Sequence, residues 1–139
     1  MKIKLEKDMN NVSPLVFAYM GDVIYEKYVR EYLIMCNYDS NVHKLHNTAI
    51  KLVSAKYQSI AFMYIKDKIS ESEMSIYKRG RNSKSKSLSK STSIVNYRIS
   101  TGFECLLGYL YFNGNITRLN EIMKMVIDYF FNEDIKNEK

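Results

Sequence analysis

Leu15-Val16-Phe17-Ala18-Tyr19-Met20-Gly21-Asp22-Val23-Ile24-Tyr25-Glu26 is apolar almost all the way round a helical wheel, yet it carries one acid, Asp22, near its centre and another, Glu26, one turn further on. Residues four apart share a helix face, so Ala18, Asp22 and Glu26 line up. A carboxylate inside so apolar a helix needs a partner, because an unpaired buried charge ends up protonated, paired or bound to a metal. The plainer alternative is that Asp22 bonds a backbone group or an arginine of another helix. Just upstream, Ser13-Pro14 reads as a helix start, with Ser as N-cap and Pro at the first helical position, and the helix runs to about Leu33. Glu26 and Arg30, four apart near its far end, read as a surface ion pair worth about 0.3–0.5 kcal/mol.

The only comparable acid lies far downstream, in Tyr97-Arg98-Ile99-Ser100-Thr101-Gly102-Phe103-Glu104-Cys105-Leu106-Leu107-Gly108-Tyr109-Leu110-Tyr111-Phe112. Glu104 shares its face with Ser100, Thr101, Leu107 and Gly108, and the missing side chain at Gly108 leaves space for a water, an ion or a second helix. Between the two acids, Cys36 to Asn41 makes a polar connection. A helical region from Val42 to about Ile65 follows, with a break near Ser54. Ser70-Glu71-Ser72-Glu73 opens a further helix whose first-turn acids suit its dipole. Lys78 and Arg79 fall in its last turn, and Gly80 supplies the stop. Asn113-Gly114-Asn115 closes the helix of Glu104, and an amphipathic helix from Ile116 to about Phe131 ends the fold. Residues 1 to 13 read as a loosely held arm and Asn132 to Lys139 as a fraying tail.

One proline and five glycines in 139 residues, with abundant Leu, Ile, Met, Tyr and Lys, favour long helices, so the expected class is all-α in a single domain. Cys36 and Cys105 form no C-x-x-C pair, which points to neither a zinc site nor a disulfide framework and fits a reducing cytosol. The first residues lack the apolar core of an export signal, and no run reaches the length of a membrane span, so a cytoplasmic protein is expected. His43 and His46 stand three apart without a further ligand at helical spacing; surface or core histidines outweigh a metal pair, and a His46 facing nucleic acid would sooner hydrogen-bond to it than ligate a metal.

The net charge of +6 is concentrated in one place. From Met74 to Phe103 there is no acid, while Lys78, Arg79, Arg81, Lys84, Lys86, Lys90 and Arg98 are all basic, and the remainder of the chain is nearly neutral. A local excess of this kind fits a polyanion held at one place. Within it, residues 80 to 95 alternate Ser with Lys, a composition that forms a loop rather than packed core. Lys78, Arg79, Arg81, Asn82, Lys84, Lys86 and Lys90 are the expected nucleic-acid contacts, supplying charge and hydrogen-bond donors to phosphate oxygens.

Two lone acids on two helices could be a general acid/base pair, an ion-pair system or the ligands of a hard cation. The basic loop favours the last, since Mg²⁺ takes oxygen ligands, tolerates few protein carboxylates and completes its shell with water and phosphate. No Ser, His or Cys triad and no P-loop competes with it.

Gly21-Asp22 within Ala18 to Glu26 resembles the signature helix of ribonuclease III catalytic domains, and Phe103-Glu104-Cys105-Leu106-Leu107-Gly108 resembles their second acidic helix. Tyr25-Glu26, Val53-Ser54-Ala55-Lys56, Lys78-Arg79-Gly80-Arg81-Asn82, and Tyr97-Arg98 followed by Ser100-Thr101-Gly102-Phe103-Glu104 resemble the Mini-ribonuclease III family more closely, in one order over residues 14 to 131. That likeness implies a ribonuclease III-like helical bundle, a homodimer and Mg²⁺-dependent cutting of double-stranded RNA, with Mn²⁺ able to substitute. It further implies precursor 23S ribosomal RNA as substrate, with a ribosomal protein on that substrate as a candidate further contact. Asp22 and Glu104 match the family's acidic metal ligands. Ala18 and Thr101 stand where larger ribonucleases III carry Glu and Asp; both look like the smaller family, and they leave fewer charges to offset two metal ions.

The expected chemistry is in-line attack of a cation-activated water on phosphorus, leaving 5′-phosphate and 3′-hydroxyl ends. Thr101 could orient a water without being catalytic. The apolar face of the first helix, including Phe17, Met20 and Ile24, offers a dimer surface or an internal core. The competing reading is a non-catalytic RNA-binding or ribosome-assembly module; a remoter one is a helical domain whose basic loop docks an acidic protein.

Overall fold

A computed structural model describes residues 8–36, 41–83 and 93–137, with side chains described as far as residue 132. Six helices follow in order: α1 (Pro14–Met35), α2 (Val42–Leu52), α3 (Ala55–Ile65), α4 (Glu71–Arg81), α5 (Ile94–Phe112) and α6 (Ile116–Asn137), with short 3-10 turns at Met9–Asn11 and Lys66–Lys68. Serine starts four of them. The hydroxyl of Ser13 accepts from the Leu15 N–H, with Pro14 at the first position, and Ser54 and Ser93 accept from the N–H groups of Tyr57 and Asn96. Ser70 forms a capping box with Glu73, each satisfying the other's free N–H. Ser54 also donates to the Lys51 carbonyl at 2.8 Å, which closes α2 as it opens α3 and fixes the break expected there.

Helix α5 is the axis of the fold. Nine of its residues from Ser100 to Leu110 are buried, and α1, α3, α4 and α6 pack around it. A helix apolar on every side belongs in the interior. Stacked Phe62 and Tyr77, with ring centroids 3.7 Å apart, join α3 to α4 beside Phe103. Glu73 ties α6 to α4 as well as capping: the Arg118 guanidinium donates to both its oxygens, at 2.7 and 3.0 Å. That pairing holds the Glu73 carboxyl below the usual carboxylate range. Among the described residues, no helix is long and apolar enough to cross a membrane.

Several expectations need correction. Gly80 does not end α4, which continues to Arg81; a methyl group there would lie 2.5 Å from Cβ of Cys105, so this glycine serves close packing against α5. The N-terminal arm is anchored at its end, where Val12 is buried with Phe17, Ala18 and Cys105. The chain beyond Asn132 keeps helical backbone to Asn137. Phe17 and Ile24 are internal core and Met20 packs on it, so these residues do not form a free dimer face. The exposed apolar residues of that half of α1 are Val16, Tyr19 and Val23, at 54%, 83% and 59% exposure.

Candidate active site

Helices α1 and α5 cross in backbone contact at two points, each made possible by a glycine. A methyl group added at Gly21 would stand 1.8 Å from the Glu104 carbonyl oxygen, and one at Gly108 would stand 2.0 Å from that of Phe17. Neither distance can exist between real atoms, so any side chain would force the helices apart. Residue 17 lies opposite 108 and residue 21 opposite 104, which makes the helices antiparallel and brings Asp22 beside Glu104. Of the three uses foreseen for the space at Gly108, the second helix occupies it.

The acids differ in setting. Asp22 is exposed, contrary to the expectation of a buried residue, whereas Glu104 is half-buried. The two carboxyls are close enough for Asp22 to act on Glu104. Burial, then the hydrogen bond and negative charge of Asp22, push Glu104 up to about 9, with a hydrogen bond from Gln58 opposing the rise. Without a counter-charge, Glu104 therefore holds its proton at neutral pH.

Two further side chains lie nearby: Gln58, not singled out from the sequence, contacts Glu104, whereas Tyr25, noted there only as part of the family-like Tyr25-Glu26, bonds elsewhere. Gln58 on α3 is 2% exposed; its Nε2 donates to Oε2 of Glu104 at 3.2 Å and to the Val53 carbonyl at 3.0 Å. Its Oε1 is buried with no hydrogen-bond partner, a state that typically costs about 1–3 kcal/mol. The signal was present, since residue 58 shares the α3 face of buried Ala61, Phe62 and Ile65, where an amide is out of place. Tyr25, one turn from Asp22, is fully buried and donates to the Leu52 carbonyl at 2.9 Å. Burial first, and the nearby Glu104 second, raise its hydroxyl above the usual tyrosine range.

Two carboxylates, with no thiol or imidazole paired with them, are hard donors. They fit a cation such as Mg²⁺, which keeps several waters, and do not fit a tetrahedral zinc site. Among the described residues no cluster of three or more His, Cys, Asp and Glu could hold a metal. Ala18 is buried in the core, and the Thr101 hydroxyl donates to the Tyr97 carbonyl at 3.0 Å, so its proton is committed within α5.

The basic residues gather elsewhere. Lys78, Arg81 and Asn82 line a concave pocket of about 510 Å³ together with Lys66 and Arg98, and no acid lines it. Arg79, with Lys78 and Asn82, lines a neighbouring pocket that also contains Glu71. His46 stands apart, in a groove between α1 and α2 with Arg30, Leu33 and Val42. Glu26 pairs with Arg30 at 2.7 Å as expected. Lys84, Lys86 and Lys90 lie outside the described residues.

Comparison with known proteins gives a consistent result. Residues 15–115 match the ribonuclease III domain family. The chain is 44% identical to Mini-ribonuclease 3 of Clostridium tetani over 133 residues, covering 96% of this chain and 87% of the relative. It is 40% identical to Mini-ribonuclease 3 of Streptococcus pneumoniae over 86% of this chain and 94% of that protein. A crystal structure of a Fusobacterium nucleatum protein superposes with a TM-score of 0.79 at 29% identity, covering 88% of this chain and 99% of the other.

Proposed function

Because this chain belongs to the Mini-ribonuclease 3 family, and is thus an endoribonuclease of the ribonuclease III type, we propose that it cuts double-stranded RNA at a Mg²⁺ site held by Asp22 and Glu104. The observation that carries this reading is the double glycine contact of α1 and α5, which brings acids 82 positions apart side by side. Two neighbouring carboxylates suit a hydrated cation such as Mg²⁺, with Mn²⁺ as a substitute. When bound, the cation supplies activation of water and neutralisation of charge on the phosphodiester. Exposed Asp22 and half-buried Glu104 would hold the cation, Glu104 as the ionised carboxylate with its proton passed to solvent, and Gln58 would hold one Glu104 oxygen still. Hydrolysis leaves 5′-phosphate and 3′-hydroxyl ends.

Lys78, Arg81 and Asn82, joined by Lys66 and Arg98, bind phosphates by charge and shape, because the deep, narrow major groove of A-form RNA does not admit side chains. Lys84, Lys86 and Lys90, from the same acid-free segment, extend this role. A second copy of the chain covers the exposed stripe of Val16, Tyr19 and Val23, which flanks Asp22. A two-fold dimer then presents two sites to one duplex, one cut per strand. The substrate in the cell is precursor 23S ribosomal RNA.

The test is incubation of duplex RNA with Mg²⁺ or EDTA, using the native chain and Asp22→Asn. Cutting should require Mg²⁺ and fall by more than about 100-fold in the variant, with RNA binding retained. Binding without cutting by the native chain would favour the non-catalytic module.

A further inference from the structure

Gln58 is an odd residue to find on the buried face of α3. Packing alone would be served by an apolar side chain of the same length, and a buried amide is costly unless all of its polar atoms are bonded. Here both donor hydrogens are used, one toward the Val53 carbonyl and one toward Oε2 of Glu104, while Oε1 has no partner. The arrangement satisfies donors at the expense of the acceptor, as a device for presenting an N–H to a carboxylate would.

The anchor of that amide is itself fixed. Val53 lies at the break between α2 and α3, where helix-end carbonyls lack partners within the helix. The Leu52 carbonyl receives the Tyr25 hydroxyl from α1, and the next carbonyl, that of Val53, receives Gln58. Ser54 pins the same turn through the Lys51 carbonyl. Consecutive carbonyls thus tie one fixed turn both to the helix of Asp22 and, through Gln58, to the side chain of Glu104.

We propose that Gln58 is a positioning residue for the cation site, holding the Glu104 carboxylate ready to share a divalent ion with Asp22. This rests on the reading of Asp22 and Glu104 as ligands. A glutamate on a helix has several rotatable bonds whose freedom is lost when it ligates; a donor that fixes one oxygen beforehand removes part of that loss. With no third acid among the described residues near the pair, the orientation of each carboxylate counts for more. Groups that orient metal ligands in this way commonly change metal affinity 10- to 100-fold when lost.

The test is calorimetric titration of Mn²⁺ into the RNA-free protein, native and as Gln58→Met, Tyr25→Phe and Asp22→Asn, with thermal unfolding of each in EDTA. Gln58→Met keeps the length of the side chain and removes the donors together with the orphaned acceptor. Its Mn²⁺ dissociation constant should rise about 10- to 100-fold, with an unfolding temperature equal to or above the native one. Tyr25→Phe loses the bond to Leu52 but leaves Gln58 on Glu104, and should keep native affinity. Affinity within two-fold of native in Gln58→Met, with Asp22→Asn unable to bind, would overturn the role of Gln58 alone. Equal weakening in Gln58→Met and Tyr25→Phe would assign the effect to the stability of the α2–α3 break and overturn it too. Native Mn²⁺ binding by Asp22→Asn would instead remove the site on which the proposal rests.

Discussion

Glu104 is the residue whose behaviour most sharply separates a metal ligand from a structural acid. Its carboxyl is raised from the ordinary 4.5 to about 9 by burial and by Asp22. Between those values the folded state holds a proton that the unfolded chain has released, so this group's contribution to stability is intact below pH 4.5 and is lost as pH rises toward 9. In EDTA, Glu104→Gln should therefore be more stable than the native protein by about 1 kcal/mol or more at pH 8, and the gap should close by pH 5. Thermal unfolding at the two pH values checks this; a gap that widens toward pH 5 would contradict it. Asp22 and Glu104 were both legible in the sequence because each is a single acid in an apolar run. The exposure of Asp22 was not, since a helical wheel cannot say which apolar side faces the core. Gln58 escaped notice because its meaning depends on Glu104, 46 positions away.

The pairing of α1 with α5 is what brings the two acids together. Gly21→Ala and Gly108→Ala would each push a methyl group into a backbone carbonyl, and no rotamer change can relieve a clash with main chain. Each should destabilise the protein by about 3 kcal/mol or more, and denaturant unfolding measures it; Gly21→Ala should also reduce cleavage, because it acts at Glu104 itself. Helix starts were readable from Ser13 and Ser70, and a break from Ser54, because these side chains cap locally. Gly80 shows the opposite case. Beside Lys78, Arg79 and a Ser/Lys stretch it looked like a terminator, yet it is small because Cys105 and Gly102 of α5 approach it. A glycine made necessary by another helix looks the same in sequence as one made necessary by a turn. Gly114 is a turn glycine in fact, with a φ of 78°.

Across the molecule, the unpartnered stripe of Val16, Tyr19 and Val23 and the acid-free pocket of Lys66, Lys78, Arg81 and Arg98 set the expectations for assembly and binding. Tyr19→Glu combined with Val23→Lys should yield a folded monomer by sedimentation, with little change in unfolding temperature; a persistent dimer would place the interface elsewhere. RNA affinity should fall with salt at a log–log slope of about −0.7 to −0.9 per phosphate neutralised, and Lys66→Glu or Arg98→Glu should each lower the slope by about 1. A slope unchanged by both would remove the pocket from the binding surface. The local concentration of charge was plain from the acid-free segment, whereas Lys66 joins it only through the packing of α3 against α4 and α5. The claim beneath all of these is that Asp22 and Glu104 share one divalent cation. Anomalous diffraction from crystals soaked in Mn²⁺ tests it most directly. The expected result is a peak between the two carboxylates, reached directly or through one water and absent in Asp22→Asn; Mn²⁺ bound only at other positions in catalytically active crystals would contradict it.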